Sequence, residues 1–258
     1  MVAEVNGNAG LGSTERFTEE VKRLALQSGV NLVGVVSAEA YDALPKVWVA
    51  WKIQDYSRKA VEVLPEAKSV VVLGFHVWDD MLELAIRKGE KWVYPGYFPL
   101  EVAAQTVKNF LESRGFKAAP AEGLSYKRLA QLAGFGCMGK NTLIINPVYG
   151  PWIRIDAVLT DAKLVADEPF QGDLCGDCEE CVRACPVGAL TPYRIDAERC
   201  LVGLRTLKGL PQEVEERFRC YTPSFTESAH LMCMECQRAC RYGRGAHSSL
   251  FRSLLKPP

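Results

Sequence analysis

The sequence predicts a mixed α/β (α+β) domain followed by a small cysteine-rich module. Two observations predict it. The first two-thirds of the chain alternates amphipathic stretches with short β-branched runs, and nine of the ten cysteines lie from Cys175 onward. The expected division is therefore an α/β domain at 1–165 and a cysteine-rich domain at 166–258. With 258 residues, 48% hydrophobic and 24% charged, the chain can bury a substantial core. Its formal net charge is zero, so nucleic-acid binding through bulk charge is not expected. No apolar run reaches the length of a membrane span, and the first residues lack the basic and apolar regions of a signal peptide. A cytoplasmic location without a membrane partner is expected, with thiols kept reduced.

The elements follow in order. Thr14 or Thr18 can cap a helix that carries Phe17, Val21 and Leu24 on one face and stops near Gly29. Residues 31–37 and 69–75 are apolar, β-branched runs expected as buried strands. Between them, 41–58 reads as helix with Trp48 and Trp51. Residues 100–113 form an amphipathic helix with Val102, Val107, Phe110 and Leu111, closed by Arg114-Gly115. A helix at 125–133 runs into the glycine-dense segment 134–142 and a strand at 143–146. Residues 152–159 alternate apolar and polar, as a half-exposed strand does, and 162–173 is a polar linker. The five tryptophans are expected in the core.

The cysteine spacing carries the chemistry. Cys175, Cys178, Cys181 and Cys185, followed by Pro186, form CxxCxxCxxxCP, the bacterial ferredoxin pattern for two four-iron, four-sulfur clusters. Three closely spaced thiolates wrap one cubane, and the fourth cysteine ligates its neighbour. Cys233, Cys236 and Cys240 form an incomplete second copy. By the same crossover Cys240 joins Cys175, Cys178 and Cys181, whereas Cys185, Cys233 and Cys236 need one more ligand. Spacing leaves Cys200 and Cys220 both open for that place. Paired CxxC motifs also build zinc sites, but zinc has no use for the full four-cysteine run.

Several segments in order resemble the epoxyqueuosine reductase family, which is related to the reductive dehalogenases. They are GVNLVGVVS, LPEAKSVVVLGF, LAGFGCMGKNTLIINP, YGPW with the later LTD, CGDCEECVRACPVGAL, IDAERC and CMECQRAC. The resemblance implies a corrinoid-binding core, distantly like the nitroreductase fold, joined to a two-cluster ferredoxin-like domain. It implies a base-off cobalamin between the two parts, fed with single electrons by the clusters. It also implies Cys200 as the eighth ligand, leaving Cys137 and Cys220 unassigned, with Cys137 reading as a small buried residue. The family's acidic proton donor corresponds to the stretch 119–123, where this chain has Ala-Pro-Ala-Glu-Gly. Its Asp-Tyr-His segment corresponds to 94–97, without the histidine. Residues 241–258 leave no room for the tRNA-binding helical-repeat extension of longer members. A shorter relative acting on another substrate, such as a small molecule, or passing electrons to a partner is therefore expected.

Gly134, Gly136, Gly139, Lys140, Asn141 and Thr142 read on their own as a tight helix-to-strand turn; the resemblance makes them a loop beside the corrinoid. Tyr97 is the first candidate proton donor, followed by Tyr94, Glu122, Tyr126 and Lys127. His76, His230 and His247 lack ligand-like spacing and read as packing or surface residues. Arg238, Arg241, Arg244 and Arg252 form a basic cluster that can dock an acidic electron donor such as ferredoxin or flavodoxin. The expected function is an iron–sulfur, cobalamin-dependent reductase. The alternative is an electron-transfer protein that reduces a corrinoid on a partner protein.

Overall fold

The computed structural model describes residues 12–49, 55–203 and 211–249; Trp51 and Arg252 lie outside the described residues. The elements that position the site are α1 (Ser13–Gln27), β1 (Leu32–Ser37), β2 (Ser69–His76), β3 (Leu84–Lys88), β4 (Lys91–Val93), α2 (Phe98–Ser113), β5 (Ala118–Pro120), α3 (Tyr126–Leu132) and β6 (Ile153–Thr160). They are followed by α4 (Glu180–Arg183), α5 (Gln212–Tyr221), β7 (Ser224–Thr226), β8 (Ala229–Leu231) and α6 (Glu235–Arg238).

The main sheet has the order β1-β2-β6-β5 and is antiparallel throughout. β2 is buried along almost its whole length because helices cover both faces of the sheet. Val70 and Val72 face a core that includes Leu129 and Ala130 of α3. Val71, Leu73 and Phe75 face the opposite core, built with Val21 of α1 and Leu100 of α2. Burying each such side chain is worth about 1.5–3 kcal/mol, so this sandwich dominates the stability of the core. α1 ends at Ser28, whose N–H returns to Leu24 and Ala25, and Gly29 follows at φ 96°. That left-handed position suits glycine and stops the helix.

The structure corrects several expectations. Residues 41–58 are not one helix: Ala38–Asp42 is a short helix, and Trp48–Val49 pairs with Asp55–Tyr56 as strands. Pro45 ends the helical run, and the Trp48–Tyr56 ring contact at 5.6 Å is a cross-strand pair. On α2 the buried face is Leu100, Ala103, Val107 and Leu111, while Val102 is exposed. β6 has a neighbouring strand on both sides only at 158–160, and its residues 154–156 keep partial exposure, in line with the half-exposed reading. Its alternating polar residues Arg154 and Asp156 meet polar partners inside the protein. The tryptophans divide: Trp152 is buried, but Trp48 and Trp78 are exposed.

A second sheet, order β7-β8-β3-β4, joins the two halves of the sequence. Ala229–Leu231 pairs with Leu84–Ile86 across the expected boundary at 165/166. His230 is sandwiched between Trp92 and Phe218, at 5.2 and 5.5 Å between ring centroids. The cysteine-bearing segment is thus seated on the N-terminal part through backbone pairing as well as side-chain contact.

Candidate metal centre

The entry to the cysteine loop is shaped by Asp173, whose carboxylate accepts from the N–H groups of Cys175 (2.8 Å) and Gly176 (3.2 Å). These bonds hold the Asp173 carboxyl below the usual range. The chain then turns through Cys178 into α4, which carries Cys181. The far-separated Cys240 returns to the same place. Cys175, Cys178, Cys181 and Cys240 line one cavity of roughly 320 Å³, part of it open to solvent, with Lys140, Asn141 and Arg241 on its wall. Lys140 directs its backbone N–H at Cys175 Sγ, 3.5 Å away.

The second set forms where α4 and α6 pack against each other. Cys236 lies close enough to Cys233, Cys200 and Cys185 for each to disfavour its ionisation, after burial itself. Cys233 feels Cys200 and Cys185 in the same way, and burial first, then the Glu235 carboxylate and these sulfurs, push its thiol up to about 12. Asp196 accepts from the N–H groups of Glu198 and Arg199, forming the turn that presents Cys200. Ala189 donates its N–H to Cys185 Sγ at 3.2 Å. Cys220 is exposed on α5, apart from this set. Of the two residues that spacing left open, Cys200 is the one the fold brings to Cys185, Cys233 and Cys236.

The donor chemistry fits cubane clusters. Each set consists of sulfur alone, and burial followed by sulfur–sulfur repulsion lifts the thiols, Cys181 to about 11. Thiolates so placed repel one another, and a cationic metal between them would offset that repulsion. Among the described residues no group of three or more His, Cys, Asp or Glu is spaced to grip a single metal ion.

The glycine-dense loop packs against the first cysteine set. Gly136 has no space for a side chain, because a Cβ there would collide with the backbone of Ile145. Lys140 and Asn141 reach the cavity wall, and Asn141 Nδ2 donates to the Cys236 carbonyl at 3.5 Å. Thr142 is held at φ 62°, a strained conformation for a β-branched residue. Cys137 is buried in the loop and accepts the Leu174 N–H at 3.3 Å, beside the first set.

A separate polar cluster lies along β6. Arg154 pairs with the fully buried Glu83 and sits 6.0 Å from the Tyr97 ring. Tyr126 bonds to Asp156, and burial, then this carboxylate, raise its phenol pKa. Tyr97 is 36% exposed as a residue, yet burial raises its hydroxyl pKa, so the open surface belongs to its other atoms. Lys127, next to Tyr126 on α3, lies near Cys200 and Cys236; burial lowers its pKa while those sulfurs oppose the shift. Arg238 is not part of a basic docking surface: it is enclosed and paired with Asp80 at 2.7 Å, whereas Arg241 and Arg244 stay exposed. Sequence reasoning missed Asp80, Glu83, Arg154 and Asp156. The signal for the last two was charge placed at alternate positions in an otherwise apolar strand.

Comparison with known proteins meets this geometry at several points. Residues 170–191 match the 4Fe-4S binding domain family. The epoxyqueuosine reductase of Synechococcus sp. (strain RCC307) is 28% identical over 83% of this chain and 75% of its own length. That of Bacillus subtilis (strain 168) is 27% identical over 94% and 68%, and that of Bacillus anthracis 32% identical over 90% and 66%. Along most of its length the chain is thus similar to the epoxyqueuosine reductases. Solved structures share the fold. A crystal structure of epoxyqueuosine reductase with an epoxyqueuosine-modified tRNA-Tyr stem loop superposes with a TM-score of 0.69 at 24% identity, covering 91% of this chain and 67% of that one. A catabolic reductive dehalogenase in complex with 3-bromo-4-hydroxybenzoic acid gives 0.62 at 19%, covering 95% and 34%. The epoxyqueuosine reductase structure holds a tRNA stem loop, whereas a small molecule is the class expected from this sequence. A net charge of zero is a sum over the whole chain and says nothing of a local binding surface. No helix among the described residues is long and apolar enough to cross a membrane.

Proposed function

We propose that this chain is an iron–sulfur reductase that holds two four-iron, four-sulfur clusters and works with a corrinoid. Cys175, Cys178, Cys181 and Cys240 hold the first cluster; Cys185, Cys200, Cys233 and Cys236 hold the second. The observation that carries this reading is the convergence of Cys240 on the cavity of the three ferredoxin-motif cysteines. When bound, the clusters supply single electrons and the corrinoid a strongly reducing cobalt centre. The protein's own residues supply the rest. Backbone N–H groups of Lys140 and Ala189 offset negative charge on Cys175 and Cys185. The first cavity has an open side with Arg241 on its wall, suited to an acidic donor such as ferredoxin or flavodoxin.

For the corrinoid, support comes from the stretch of β6 between Ile153 and Ala157, which β5 does not cover. Arg154, Asp156, Tyr97 and Tyr126 gather there, with the exposed side chain of Phe98 next to Tyr97 in the chain. Their hydroxyl and guanidinium groups can donate to a corrinoid's amide rim. Tyr126 holds a proton on its phenolic oxygen beside Asp156 and takes the place of the family's acidic donor, whose position falls near Pro120 in this chain; Tyr97 is the second candidate for that role. The glycine-dense loop 134–142 fits the first cluster better than the corrinoid, because Lys140 and Asn141 line the cysteine cavity. The domain division at 1–165 and 166–258 then separates a corrinoid-binding part from a cluster-binding part.

The substrate class proposed for the first assay is an epoxyqueuosine-bearing tRNA stem loop, because a family member is held with one. A small molecule is the second class. The test is anaerobic gel filtration with cobalamin, followed by turnover of the modified stem loop under a low-potential reductant. A cobalamin spectrum that travels with the protein, and conversion of the epoxide, support the reading. Clusters without cobalamin retention at saturating cofactor overturn the corrinoid part and favour the electron-transfer alternative.

A further inference from the structure

Asp80 is fully buried at the start of a 3-10 turn, Asp80–Glu83. Its Oδ1 accepts from Arg238 Nη2 at 2.7 Å and lies 2.8 Å from His247 Nε2. The other ring nitrogen of His247 lies 2.7 Å from the Val77 carbonyl oxygen. The imidazole stacks on Trp152 with ring centroids 3.5 Å apart and planes at 7°. A carboxylate and a carbonyl oxygen can only accept, so hydrogen bonds at both ring nitrogens require a hydrogen on each. Asp80 is the ionised partner: burial would raise its carboxyl, but the bonds from His247 and Arg238 outweigh burial and hold it below the usual range.

Arg238 lies on α6 between Cys236 and Cys240, one cysteine from each set. The strand-like contact of residues 246–249 with 77–80 encloses the assembly: the Ser248 N–H reaches the Trp78 carbonyl at 2.8 Å, and Asp79 bridges Ser248. Only 18% of the Arg238 side chain and 3% of the His247 side chain remain exposed. Glu235 of the same helix stands 3.8 Å from Arg238, and Asp79 and His76 are the other ionisable groups near the cluster.

We propose that Asp80, Arg238 and His247 form a positioning device that anchors α6 to the N-terminal core and sets the reduction potentials of both clusters. It rests on the cysteine assignment proposed above. A cation held in a dry site near a cluster favours the reduced, more negative cluster, and an anion opposes it, because poor screening lets the charge act at a distance. Asp80 and its two cationic partners therefore act with opposite sign on the same pair of clusters. Arg238, His247 and Asp80 are positioning residues; none of them touches iron.

The test is a redox titration, followed by electron paramagnetic resonance, of the full chain reconstituted anaerobically with iron and sulfide. Asp80→Asn is expected to move both potentials in the positive direction, and His247→Gln to move both in the negative direction. Arg238→Lys keeps the charge and is expected to leave them at the wild-type values. Shifts of one sign in Asp80→Asn and His247→Gln, or no shift in either, overturn the proposal. If Asp80→Asn loses its iron, the other two variants decide: a negative shift in His247→Gln with wild-type potentials in Arg238→Lys supports the device, and any other pattern overturns it. Wild-type protein that binds no clusters overturns the cysteine assignment itself, and this inference with it. Two clusters with unresponsive potentials overturn this inference alone.

Discussion

Gly150 and Gly243 meet backbone to backbone, and neither leaves room for a Cβ. A Cβ on Gly150 would land on the Tyr242 carbonyl, and one on Gly243 on the Tyr149 carbonyl. Both glycines also have positive φ, 58° and 76°. This contact ties the turn before Trp152 to the segment just after Cys240, so the seating of Cys240, a proposed cluster ligand, depends on two hydrogen atoms.

Gly150→Ala or Gly243→Ala is expected to displace the segment that carries Cys240, with strain of at least about 1–3 kcal/mol. Iron per chain should fall by about half as the first cluster is lost. Gly245→Ala, where a Cβ meets open space, should keep the full iron content. Iron analysis and thermal unfolding of the three variants check this.

Cys200→Ser should remove the second cluster or convert it to a species with altered resonance, while Cys220→Ser should leave both clusters intact. Cys220 is exposed, whereas Cys200 shares its surroundings with Cys185, Cys233 and Cys236. Electron paramagnetic resonance of the reduced variants distinguishes them.

The grouping of Cys240 with Cys175, Cys178 and Cys181 around one cavity was legible in the cysteine spacing. The choice between Cys200 and Cys220 was not, since it depends on where Asp196 turns the chain and where α5 points. The buried strands 31–37 and 69–75 were readable from their β-branched runs. Residues 41–58 misled, because Trp48 and Tyr56 face each other across a hairpin and their apolar character mimicked a helix face. β6 was half legible: residues 154–156 keep partial exposure, as its alternation suggested, but the polar partners of Arg154 and Asp156 were not. The Asp80–His247 contact joins residues from opposite ends of the chain, and no local pattern marks it.

Tyr126→Phe is expected to lower turnover by about 10²–10⁴-fold, the range for loss of a general acid, without changing iron content. Tyr97→Phe should cost less. Single-turnover kinetics of each variant with the modified stem loop check the assignment, and equal iron content excludes a cluster defect.

Stability should fall as the pH drops below about 6.5. Burial lowers the folded pKa of His230, so the unfolded chain binds the proton more readily, and folding loses stability as pH falls from the unfolded value toward the folded one. Thermal midpoints between pH 7.5 and 5.5 should decline in the wild type. In His230→Phe the decline should be shallower, with the remainder due to His76, whose pKa burial also lowers.

The assay that bears most directly on the whole account is iron and acid-labile sulfide per chain after anaerobic reconstitution, read together with the resonance of the reduced protein. About eight irons and eight sulfides, with signals from two interacting four-iron clusters, are expected. Zinc in place of iron, or about four irons or fewer in the wild-type chain, would contradict the assignment of two cysteine sets.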